Sequence, residues 1–449
     1  MKTIKIFIFA LMAACQLQAQ SYADQHYFWY TETLWDQAVE VSNVQLNADS
    51  SAIILQDGQT NGTIDFAVQN TQEPFNRLLP SWNGWAPESN GGFKVLVRFP
   101  MGEGWSPWLN VGFWKEYVFN SYGSTTYEEG YIDYDYAVLD NYLSEFQFRV
   151  SFRRNTAALA SPSIHKLSAF VSDSRTTDNA NMTAIMNDDP PEIFIPTSFV
   201  CQYNVDPEIG GSICSPTSVV MILRSYDIEV DAYEFALDNY DPWYGIFGIW
   251  PRAVQNGSTY GVDGAVTRYR TWSECYEVLA AGGRISMSVG QPLYSGHLIM
   301  LAGFDENGDP LVHDPARQDG YAYHFTKISL SQSWFNKGGV GYTFFPGDTT
   351  LVDIAVEEPV LPRETQLYPA FPNPFNAATI LRFNLDKGGP VTIHVHDLQG
   401  RRVQTLAQGN LSAGTHRLQW NGSGLSAGTY LITLHTAKGT ESTRVTLLK

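Results

Sequence analysis

The sequence predicts a multidomain chain with a β-sandwich first, a mixed α+β domain next, and an Ig-like β-sandwich at the C-terminus. Several domains are expected because 449 residues exceed the usual size of one hydrophobic core. The composition favours β structure, because 14% aromatic residues, 37 Gly and 23 Pro are typical of strand-rich, turn-rich domains. The clearest helical periodicity lies in the middle of the chain, which places the α+β domain there.

The N-terminus predicts export, with a signal peptide at residues 1–19. Two lysines precede a short apolar run, and Leu17-Gln18-Ala19 offers a small-residue cleavage site. As an alternative, residues 11–15 loosely match a lipoprotein cleavage box that would place a lipid on Cys15. Later stretches lack the roughly 18 uninterrupted apolar residues of a membrane-spanning helix, so we expect no transmembrane span.

The charge of the chain bears on its partners. With 28 basic and 46 acidic residues, the formal net charge is −18. An acidic surface repels phosphate backbones and anionic lipid heads, so nucleic acid and membrane-surface partners are not expected. The charge does not indicate which substrate is used.

Residues 21–175 are predicted to form the first sandwich, because short alternating runs such as 93–98 and 146–150 recur between turn clusters. Indole side chains are concentrated between residues 81 and 114. They predict either an aromatic core or a stacking surface for carbohydrate, and the core is the favoured interpretation. Residues 176–191 are polar, end in two prolines and are predicted to be a linker.

Residues 192–350 form the predicted α+β domain, whose best helix begins at Cys214. Pro216 suits the first turn of that helix, and residues 219, 222, 223 and 226 share one apolar face. Acidic, proline-bearing residues 351–366 are predicted to be a second linker. Residues 367–449 show alternating strands again, which predicts the second sandwich.

Three cysteines remain after signal removal: Cys201, Cys214 and Cys275. An odd number in an exported protein predicts one pair and one free thiol, so we expect a disulfide between Cys201 and Cys275. Cys214 lies at a helix N-terminus, where backbone N–H groups and the helix dipole favour a thiolate. The alternative for Cys214 is an ordinary buried thiol.

A β-hairpin brings a carboxylate to a histidine in this domain. His297 opens an apolar strand, and the returning strand ends at Asp314. If Phe304 pairs with Asp309, then His297 faces Ala316, and Asp314 lies two residues away on the same face, or closer with a bulge. A carboxylate in that place can orient a histidine that acts as a base toward a thiol.

Other candidates in this region are less favoured. His313 should point to the opposite face from Asp314, because side chains alternate along a strand. Residues 305–309 resemble the start of a calcium loop, but Ala316 stands where the loop requires Glu, so a hairpin turn is predicted. The HExxH and CxxC patterns do not occur, and we expect no metal and no cofactor.

The ordered motifs resemble the double-glycine-leader (bacteriocin-processing) peptidase-like family of papain-like cysteine peptidases. The matching positions are Gln202-Tyr203, Cys214-Ser215-Pro216-Thr217-Ser218, Gly296-His297-Leu298-Ile299-Met300, Gly303-Phe304 and Val312-His313-Asp314-Pro315-Ala316. The resemblance implies a papain-like fold, with Cys214 as nucleophile, His297 as base, Asp314 as its orienting group and Gln202 as oxyanion donor. Leader-cutting members usually belong to export transporters, and no such module is seen here, so a freestanding secreted hydrolase is expected.

The flanking regions carry their own resemblances. Residues around Trp82, Trp105 and 147–150 are similar to the β-sandwich that often precedes such peptidase domains in secreted bacterial proteins. The C-terminal region resembles the type IX secretion sorting domain, on Tyr368-Pro369-Ala370-Phe371-Pro372-Asn373-Pro374-Phe375-Asn376, Asp397-Leu398-Gln399-Gly400-Arg401, Ala427-Gly428-Thr429-Tyr430 and Lys449. This implies the type IX machinery as a partner and a destination at the cell surface or in the medium.

Together these features predict a secreted cysteine peptidase that hydrolyses peptide or protein substrates. Two alternatives remain open at this point. The same residues could serve amide hydrolysis or transpeptidation on cell-wall peptides. In a non-catalytic surface binding protein, by contrast, the aromatic sandwich would carry the function and the thiol would be idle.

Overall fold

The computed structural model describes residues 24–87, 91–115, 124–177, 180–241, 243–347, 365–368, 370, 373–376 and 378–448. The predicted signal peptide and most of the predicted linker 351–366 lie outside these residues. The chain divides into two compact units, Met1–Asp353 and Ile354–Lys449. Both are mostly β, which confirms the strand-rich, multidomain prediction in its general form.

The first unit begins with a sandwich region of long antiparallel strands and one short helix, α1 (Thr31–Asp36). Its strands are β1 (Gln25–Tyr30), β2 (Ala38–Ser42), β3 (Val44–Leu46), β4 (Ile53–Leu55), β5 (Asn61–Phe66), β6 (Gln69–Trp85), β7 (Gly91–Arg98), β8 (Pro100–Met101), β9 (Gly104–Trp105), β10 (Leu109–Trp114), β11 (Thr126–Tyr127), β12 (Gly130–Asp133), β13 (Tyr136–Arg154) and β14 (Ser163–Ser172). All but β8 and β9 join one hydrogen-bonded network.

That continuous network differs from the two separate sheets that were predicted. Strand β13 is 19 residues long and pairs with β6 along its first half, then with β5 and β7 along its second half. Irregular register between Val138 and Glu145 marks the change of partner. Bulges of this kind bend a strand, so one strand can serve both layers of the region.

Some indoles of the sandwich build its core, and others are partly exposed, such as Trp85 at 38%. Trp82 and Trp114 are 1% and 2% exposed and pack in the apolar cluster of this region. Trp108 is half-buried between two guanidinium groups, with Arg98 and Arg149 at 4.5 and 4.4 Å from its ring centre. The favoured core interpretation therefore holds for these residues, and the structure adds nothing in support of a carbohydrate contact.

The peptidase-like region of the first unit has a seven-stranded antiparallel sheet and a set of helices around it. Its strands are β15 (Ile193–Phe194), β16 (Val262–Arg268), β17 (Arg284–Val289), β18 (His297–Phe304), β19 (Pro310–His313), β20 (Tyr323–His324) and β21 (Val340–Pro346). The helices of this unit after the sandwich are α2 (Ser174–Thr177), α3 (Met182–Met186), α4 (Cys214–Arg224), α5 (Ala232–Asn239), α6 (Trp250–Ser258), α7 (Trp272–Ala280) and α8 (Lys327–Phe335).

Helix α4 begins at Cys214, as the sequence predicted, but it is not amphipathic. Every residue from Ser215 to Leu223 is buried, and Tyr226 lies beyond the helix end. The reason is that α4 packs against β17 and β18 on one side and against α5 and α6 on the other. Enclosure on all sides fixes the position of the first residue of the helix.

The sandwich covers the edge strand of the peptidase-like sheet. The side-chain amide of Asn83 makes the two hydrogen bonds to Gly264 that a neighbouring strand would make. Its Nδ2 donates to Gly264 O at 3.1 Å, and its Oδ1 accepts from Gly264 N at 3.0 Å. Val266 N donates to the hydroxyl of Ser81, and Gln255 donates to Gly84 O. Because β16 ends the sheet, these contacts satisfy groups that an exposed edge would leave to solvent or to another chain.

The predicted linker 176–191 is anchored rather than loose. It contains helix α3, and Ile185 is 2% exposed in the core of the peptidase-like region. Lys327 donates to the backbone oxygen of Asp188 and to the carboxylate of Asp189. Polar residues of this segment suggested a linker, but Asp188 and Asp189 accept hydrogen bonds from residues of helices α7 and α8.

The second unit holds a three-stranded and a five-stranded sheet over a shared apolar core. Its strands are β22 (Gln366–Leu367), β23 (Phe375–Asn376), β24 (Ala378–Leu385), β25 (Gly389–His396), β26 (Arg402–Leu411), β27 (Gly414–Asn421), β28 (Gly428–Thr436) and β29 (Gly439–Leu448). Two sheets agree with a sandwich, and the Ig-like topology stays a prediction.

We expect Lys166→Met to destabilise the first unit by about 3–5 kcal/mol, because it leaves the Asp263 carboxylate, which is only 11% exposed, without its cation. The Lys166 ammonium is fully buried and lies 2.5 Å from Asp263 across the junction of sandwich and sheet. Urea unfolding followed by tryptophan fluorescence measures the change. Asp319→Asn is the matched control, since it removes an ion pair with Arg317 at the surface and should change stability little. Equal effects of the two substitutions would contradict the prediction.

Candidate active site

The thiol of Cys214 lies at the start of the buried helix α4. The preceding residue, Ile213, supplies no side-chain cap, so the first-turn N–H groups keep their positive field for an anion. Two hydrogen bonds hold this helix against the sheet. Ser218 donates to Leu298 O at 3.0 Å, and the hydroxyls of Ser215 and Tyr342 are 2.8 Å apart. The position of the thiol is thus fixed relative to strand β18.

His297 is the first residue of β18 and lies between the thiol and a carboxylate. Its Nε2 is 2.7 Å from Asp314 Oδ1, which leaves Nδ1 for Cys214. Burial lowers the pKa of His297, but the hydrogen bonds and charges of Asp314 and Cys214 outweigh burial and raise it to about 9. The imidazole therefore holds a proton at neutral pH.

The pKa of the Cys214 thiol moves in the opposite direction. Burial raises this pKa, but the hydrogen bond and charge of His297, together with the backbone amides of Leu298 and Ser215, bring it below the ordinary value. A cysteine and a histidine that stabilise each other's charged forms constitute a thiolate–imidazolium pair.

Asp314 is held in place by several donors besides His297. Its Oδ1 also accepts from Ala316 N at 3.0 Å, and its Oδ2 accepts a hydrogen bond from the hydroxyl of Tyr294. Its own backbone N–H donates to Gly320 O. Burial raises the pKa of this carboxyl, but the contacts with His297, Tyr294 and Ala316 lower it overall, so Asp314 stays ionised.

The hairpin that brings His297 and Asp314 together has nearly the predicted register. At the turn the register differs by one residue, because Phe304 pairs with Pro310 and not with Asp309. A bulge just before Gly303 then restores the predicted alignment, with Met300 opposite His313. The bulge absorbs the one-residue difference between the turn and the far end of the hairpin.

His313 takes no part in this cluster, as strand alternation predicted. Its Nε2 bonds the backbone oxygen of Ile195 at 2.9 Å, and its Nδ1 accepts from Ala322 N at 3.1 Å. Both ring nitrogens are used, the side chain is fully buried, and burial lowers its pKa. His313 is a structural histidine on the opposite face.

Gln202 lies in a short 3₁₀ turn and is 2% exposed. Its backbone N–H donates to Pro315 O, which ties it to the segment that follows Asp314. Its side-chain Nε2 donates to Gly210 O at 2.6 Å, and among the described residues its Oε1 accepts no hydrogen bond. An amide nitrogen carries two hydrogens, so the bond to Gly210 leaves the second N–H of Gln202 unused.

The predicted disulfide between Cys201 and Cys275 is wrong, because both thiols are free. Cys275 is buried on α7, at the end of the sheet where Trp272 packs on Phe304, and burial raises its pKa well above the ordinary value. Cys201 lies elsewhere, directly before Gln202, whose backbone N–H donates to Pro315 O. The count of cysteines therefore did not single out Cys214; its histidine neighbour does.

Tyr294 is a site residue that sequence reasoning missed. Its ring lies over the imidazole of His297, with centroids 4.3 Å apart, while its hydroxyl bonds Asp314. It belongs to the loop before β18, where neither strand nor helix periodicity applies. Only its closeness in sequence to His297 could have drawn attention to it.

Comparison with known families agrees with this geometry. Residues 195–342 match the sequence model of the Peptidase_C39 like family. The match covers about a third of the chain and lies within the middle domain. Residues 24–172 match the Peptidase C39 N-terminal domain, and residues 369–447 match the Secretion system C-terminal sorting domain. All three resemblances are confirmed, and the sorting domain assigns the protein to type IX secretion and to the cell surface or medium.

Other comparisons add little. No curated protein matches the sequence. Among solved structures, an endo-β-1,4-mannanase from Thermotoga petrophila is 13% identical over 33% of this chain and 30% of its own, with a TM-score of 0.14. A β-glucuronidase from Faecalibacterium prausnitzii is 9% identical over 96% of this chain and 47% of its own, with a TM-score of 0.16. Dimeric latent PorU from Porphyromonas gingivalis is 10% identical over 94% of this chain and 34% of its own, with a TM-score of 0.17.

The described residues contain no group of three or more His, Cys, Asp or Glu arranged to hold a metal ion. Within the same part of the chain, no helix has the length and apolar character needed to cross a membrane.

We expect Cys214 to react with iodoacetamide at pH values below the range of an ordinary thiol, because His297 keeps it as a thiolate. Since the pKa of Cys214 is lowered and that of His297 is raised to about 9, the ion pair persists between the two values. In His297→Ala the inflection should move to higher pH, because only the backbone amides of Leu298 and Ser215 then oppose the effect of burial on the pKa of Cys214. Peptide mass mapping of the alkylated protein measures each thiol separately.

Buried Cys275 is the internal control for this experiment and should remain unlabelled throughout. Identical pH profiles of Cys214 in the wild type and in His297→Ala would show that the imidazole does not activate the thiol.

Proposed function

We propose that this protein is a secreted cysteine peptidase that hydrolyses peptide bonds through Cys214, His297, Asp314 and Gln202. The observation that carries the proposal is the buried imidazole between a helix-terminal thiol and a carboxylate, 2.7 Å from the latter. Three separate elements supply these groups, so their alignment is a property of the fold. The match of residues 195–342 to the Peptidase_C39 like family supports peptide hydrolysis as the reaction.

In the proposed reaction the Cys214 thiolate attacks the carbonyl carbon of the scissile bond. The carbonyl oxygen becomes an oxyanion, which the second N–H of Gln202 and the backbone N–H of Cys214 stabilise. Protonated His297 gives its proton to the leaving amine, and a thioester acyl-enzyme forms. Neutral His297 then takes a proton from water, which attacks the thioester and regenerates the thiolate and the free acid.

Asp314 and Tyr294 act through His297 in this proposal. The carboxylate accepts a hydrogen bond from Nε2–H, so that Nδ1 faces the thiol throughout the cycle. The hydroxyl of Tyr294 holds the other carboxylate oxygen, and its ring covers one face of the imidazole. These contacts hold the ring orientation that proton transfer requires.

The alternative reactions share this thiol, and no observation favours them over peptide hydrolysis. A non-catalytic role fits poorly, because a buried thiolate–imidazolium pair is costly for stability and is typical of reactive sites. Secretion to the surface or medium supports peptides and proteins outside the cell as substrates.

We expect Cys214→Ala to lower peptide hydrolysis by about 10⁴-fold or more, because no nucleophile replaces the thiolate. Asp314→Asn should lower kcat by about 10²-fold or more through loss of imidazole orientation, and Gln202→Ala by about 10²–10³-fold through loss of an oxyanion donor. Initial rates on a fluorogenic peptide library measure all three.

Cys275→Ala is the matched control, since it removes a thiol that lies apart from the site and should retain activity. Hydrolysis by Cys214→Ala at the wild-type rate would refute the proposed function.

We expect Tyr294→Phe to lower kcat about tenfold with KM unchanged, because a hydrogen bond to a charged group is lost. The acid limb of the kcat profile should also move to higher pH, since Tyr294 is one of the donors that lower the pKa of Asp314. Tyr294→Ala should lose more, because the ring over His297 is lost as well. An unchanged acid limb in Tyr294→Phe would mean that the hydroxyl does not act through Asp314.

A further inference from the structure

A lysine side chain, Lys337, lies at the end of strand β17 next to the candidate site. Lys337 belongs to the turn between α8 and β21. Its ammonium donates to the hydroxyl of Ser288 at 3.2 Å and to the backbone oxygen of Val289 at 3.4 Å. Val289 is the last residue of β17 and pairs with His297, the first residue of β18. The cation therefore lies beside the end of the strand that carries the imidazole.

The fold holds this side chain along a defined path. Its turn contains Gly338 and Gly339, whose φ values of 94° and 65° lie in the left-handed region and reverse the chain after α8. The stem of Lys337 then passes over Gly290, where an added Cβ would lie 3.0 Å from Lys337 Cδ. A side chain at position 290 would crowd this path. Backbone and neighbour together direct the ammonium toward the end of β17.

Ser288 points to the face of the sheet on which α4 packs. Ser286, two residues earlier, pairs with Tyr342, and the hydroxyl of Tyr342 is 2.8 Å from that of Ser215 in the first turn of α4. Side chains two residues apart on a strand share a face, and so do residues directly opposite each other on neighbouring strands. The ammonium that bonds the Ser288 hydroxyl therefore lies on the side of the sheet that holds the helix of the thiol.

The register of the strands places this cation close to the thiol. Ser288 is directly opposite Leu298, whose backbone amide is one of the donors to Cys214. Since neighbouring strands lie about 4.8 Å apart, the ammonium is roughly 10 Å from the sulfur. Burial lowers the pKa of Lys337, and the negative charge of Cys214 raises it, as expected for two groups at this separation.

The cation lies on the side of His297 away from the oxyanion donor. In the sheet, β17 and β19 flank β18 on opposite sides. Asp314 follows β19, and the backbone N–H of Gln202 is bonded to Pro315 O. Lys337 is on the β17 side. A substrate carbonyl whose oxygen turns toward Gln202 therefore has the ammonium on its other side, where a neighbouring substrate residue can face it.

The ammonium is available to a bound molecule. Lys337 is exposed as a residue, although its hydrogen bonds are partly buried. An ammonium has three N–H groups, of which Ser288 and Val289 accept two. Among the described residues, no carboxylate forms an ion pair with Lys337. One donor and one positive charge thus remain for an anion beside the thiol.

We propose that Lys337 is a specificity-determining residue that binds a carboxylate of the substrate next to the scissile bond. An ammonium is a compact point charge that suits this partner. One extended residue spans about 3.5 Å, so a carboxylate within one or two residues of the reacting carbonyl reaches it. The carboxylate belongs to an Asp or Glu side chain or to the C-terminus of the peptide. The inference rests on the proposed function for the identity of the substrate.

The first test compares end-blocked peptides that carry Glu or Gln at each position around the cleaved bond. Wild-type kcat/KM should favour Glu at one position by about five- to tenfold, the value of a partly exposed hydrogen bond between charged groups. Lys337→Gln should remove this preference, and Lys337→Arg should keep it. Lys337→Glu should replace it with a preference for Lys over Gln at the same position.

A second peptide pair ends in either a free carboxylate or an amide. A preference for the free acid that Lys337→Gln removes would identify the C-terminus as the bound carboxylate. Arg153→Gln is the matched control, because it removes one positive charge from an exposed residue of sandwich strand β13; both preferences should survive it.

A purely structural role of Lys337 predicts a different result. If the lysine only supports the end of β17, Lys337→Gln lowers hydrolysis of acidic and neutral peptides equally, and that outcome would overturn the inference. A wild type that hydrolyses both members of every pair at the same rate would overturn it too.

Alkylation of Cys214 separates this inference from the proposed function. The thiolate displaces iodide from iodoacetate, which carries a carboxylate, and from iodoacetamide, which is neutral and of similar shape. The ratio of the two rates should fall about two- to tenfold in Lys337→Gln and further in Lys337→Glu, because the ammonium attracts only the anionic reagent. Effects of the substitutions on the pKa of Cys214 cancel in this ratio, since both reagents need the same thiolate.

The two experiments fail independently. A changed ratio in a protein that hydrolyses no peptide would support the anion site and refute only the proposed function. An unchanged ratio in both Lys337 variants would overturn the inference, whatever the protein hydrolyses.

Discussion

The buried hydrogen bond between His297 and Asp314 is the interaction on which the C39-like domain depends. A carboxylate that is excluded from water needs a cation and several hydrogen-bond donors. Without them the free-energy cost of desolvating the charge exceeds the stabilisation from its contacts. Here the imidazole, the Tyr294 hydroxyl and the Ala316 amide satisfy it. Since His297 then holds a proton at neutral pH, a thiolate at Cys214 becomes the favoured neighbour. The charge state of the site follows from this one contact and from the helix terminus beside it.

The placement of these groups rests on the junction between sandwich and sheet. Helix α4 is enclosed on all sides, and one of its neighbours, α6, is capped by Asp135 from the sandwich. The edge strand β16 is covered through Asn83 and Ser81. The position of α6 and the covering of the sheet edge therefore depend on one set of interactions, and the two regions pack as a single compact unit.

The sequence predicted features that depend on local periodicity and missed those that depend on tertiary contacts. The start of α4 at Cys214 and the hairpin that joins His297 to Asp314 follow from apolar spacing and strand alternation. The predicted disulfide is wrong because the number of cysteines says nothing about their separation in space. Tyr294 and Asp135 act from a loop and a tight turn, where no periodicity predicts the direction of a side chain. Segment 176–191 has the composition of a linker, but its polar groups find partners in the fold.

The covered edge of β16 limits the ways in which the proposed peptidase could be kept inactive. An inhibitory propeptide occupies a cleft and can be cut away, because the mature enzyme is complete without it. The sandwich cannot be removed in this way: its loss would expose an unpaired strand, leave Asp263 without its cation and uncap α6. The sandwich is thus a permanent subdomain, and any proteolytic maturation of the secreted chain must spare it.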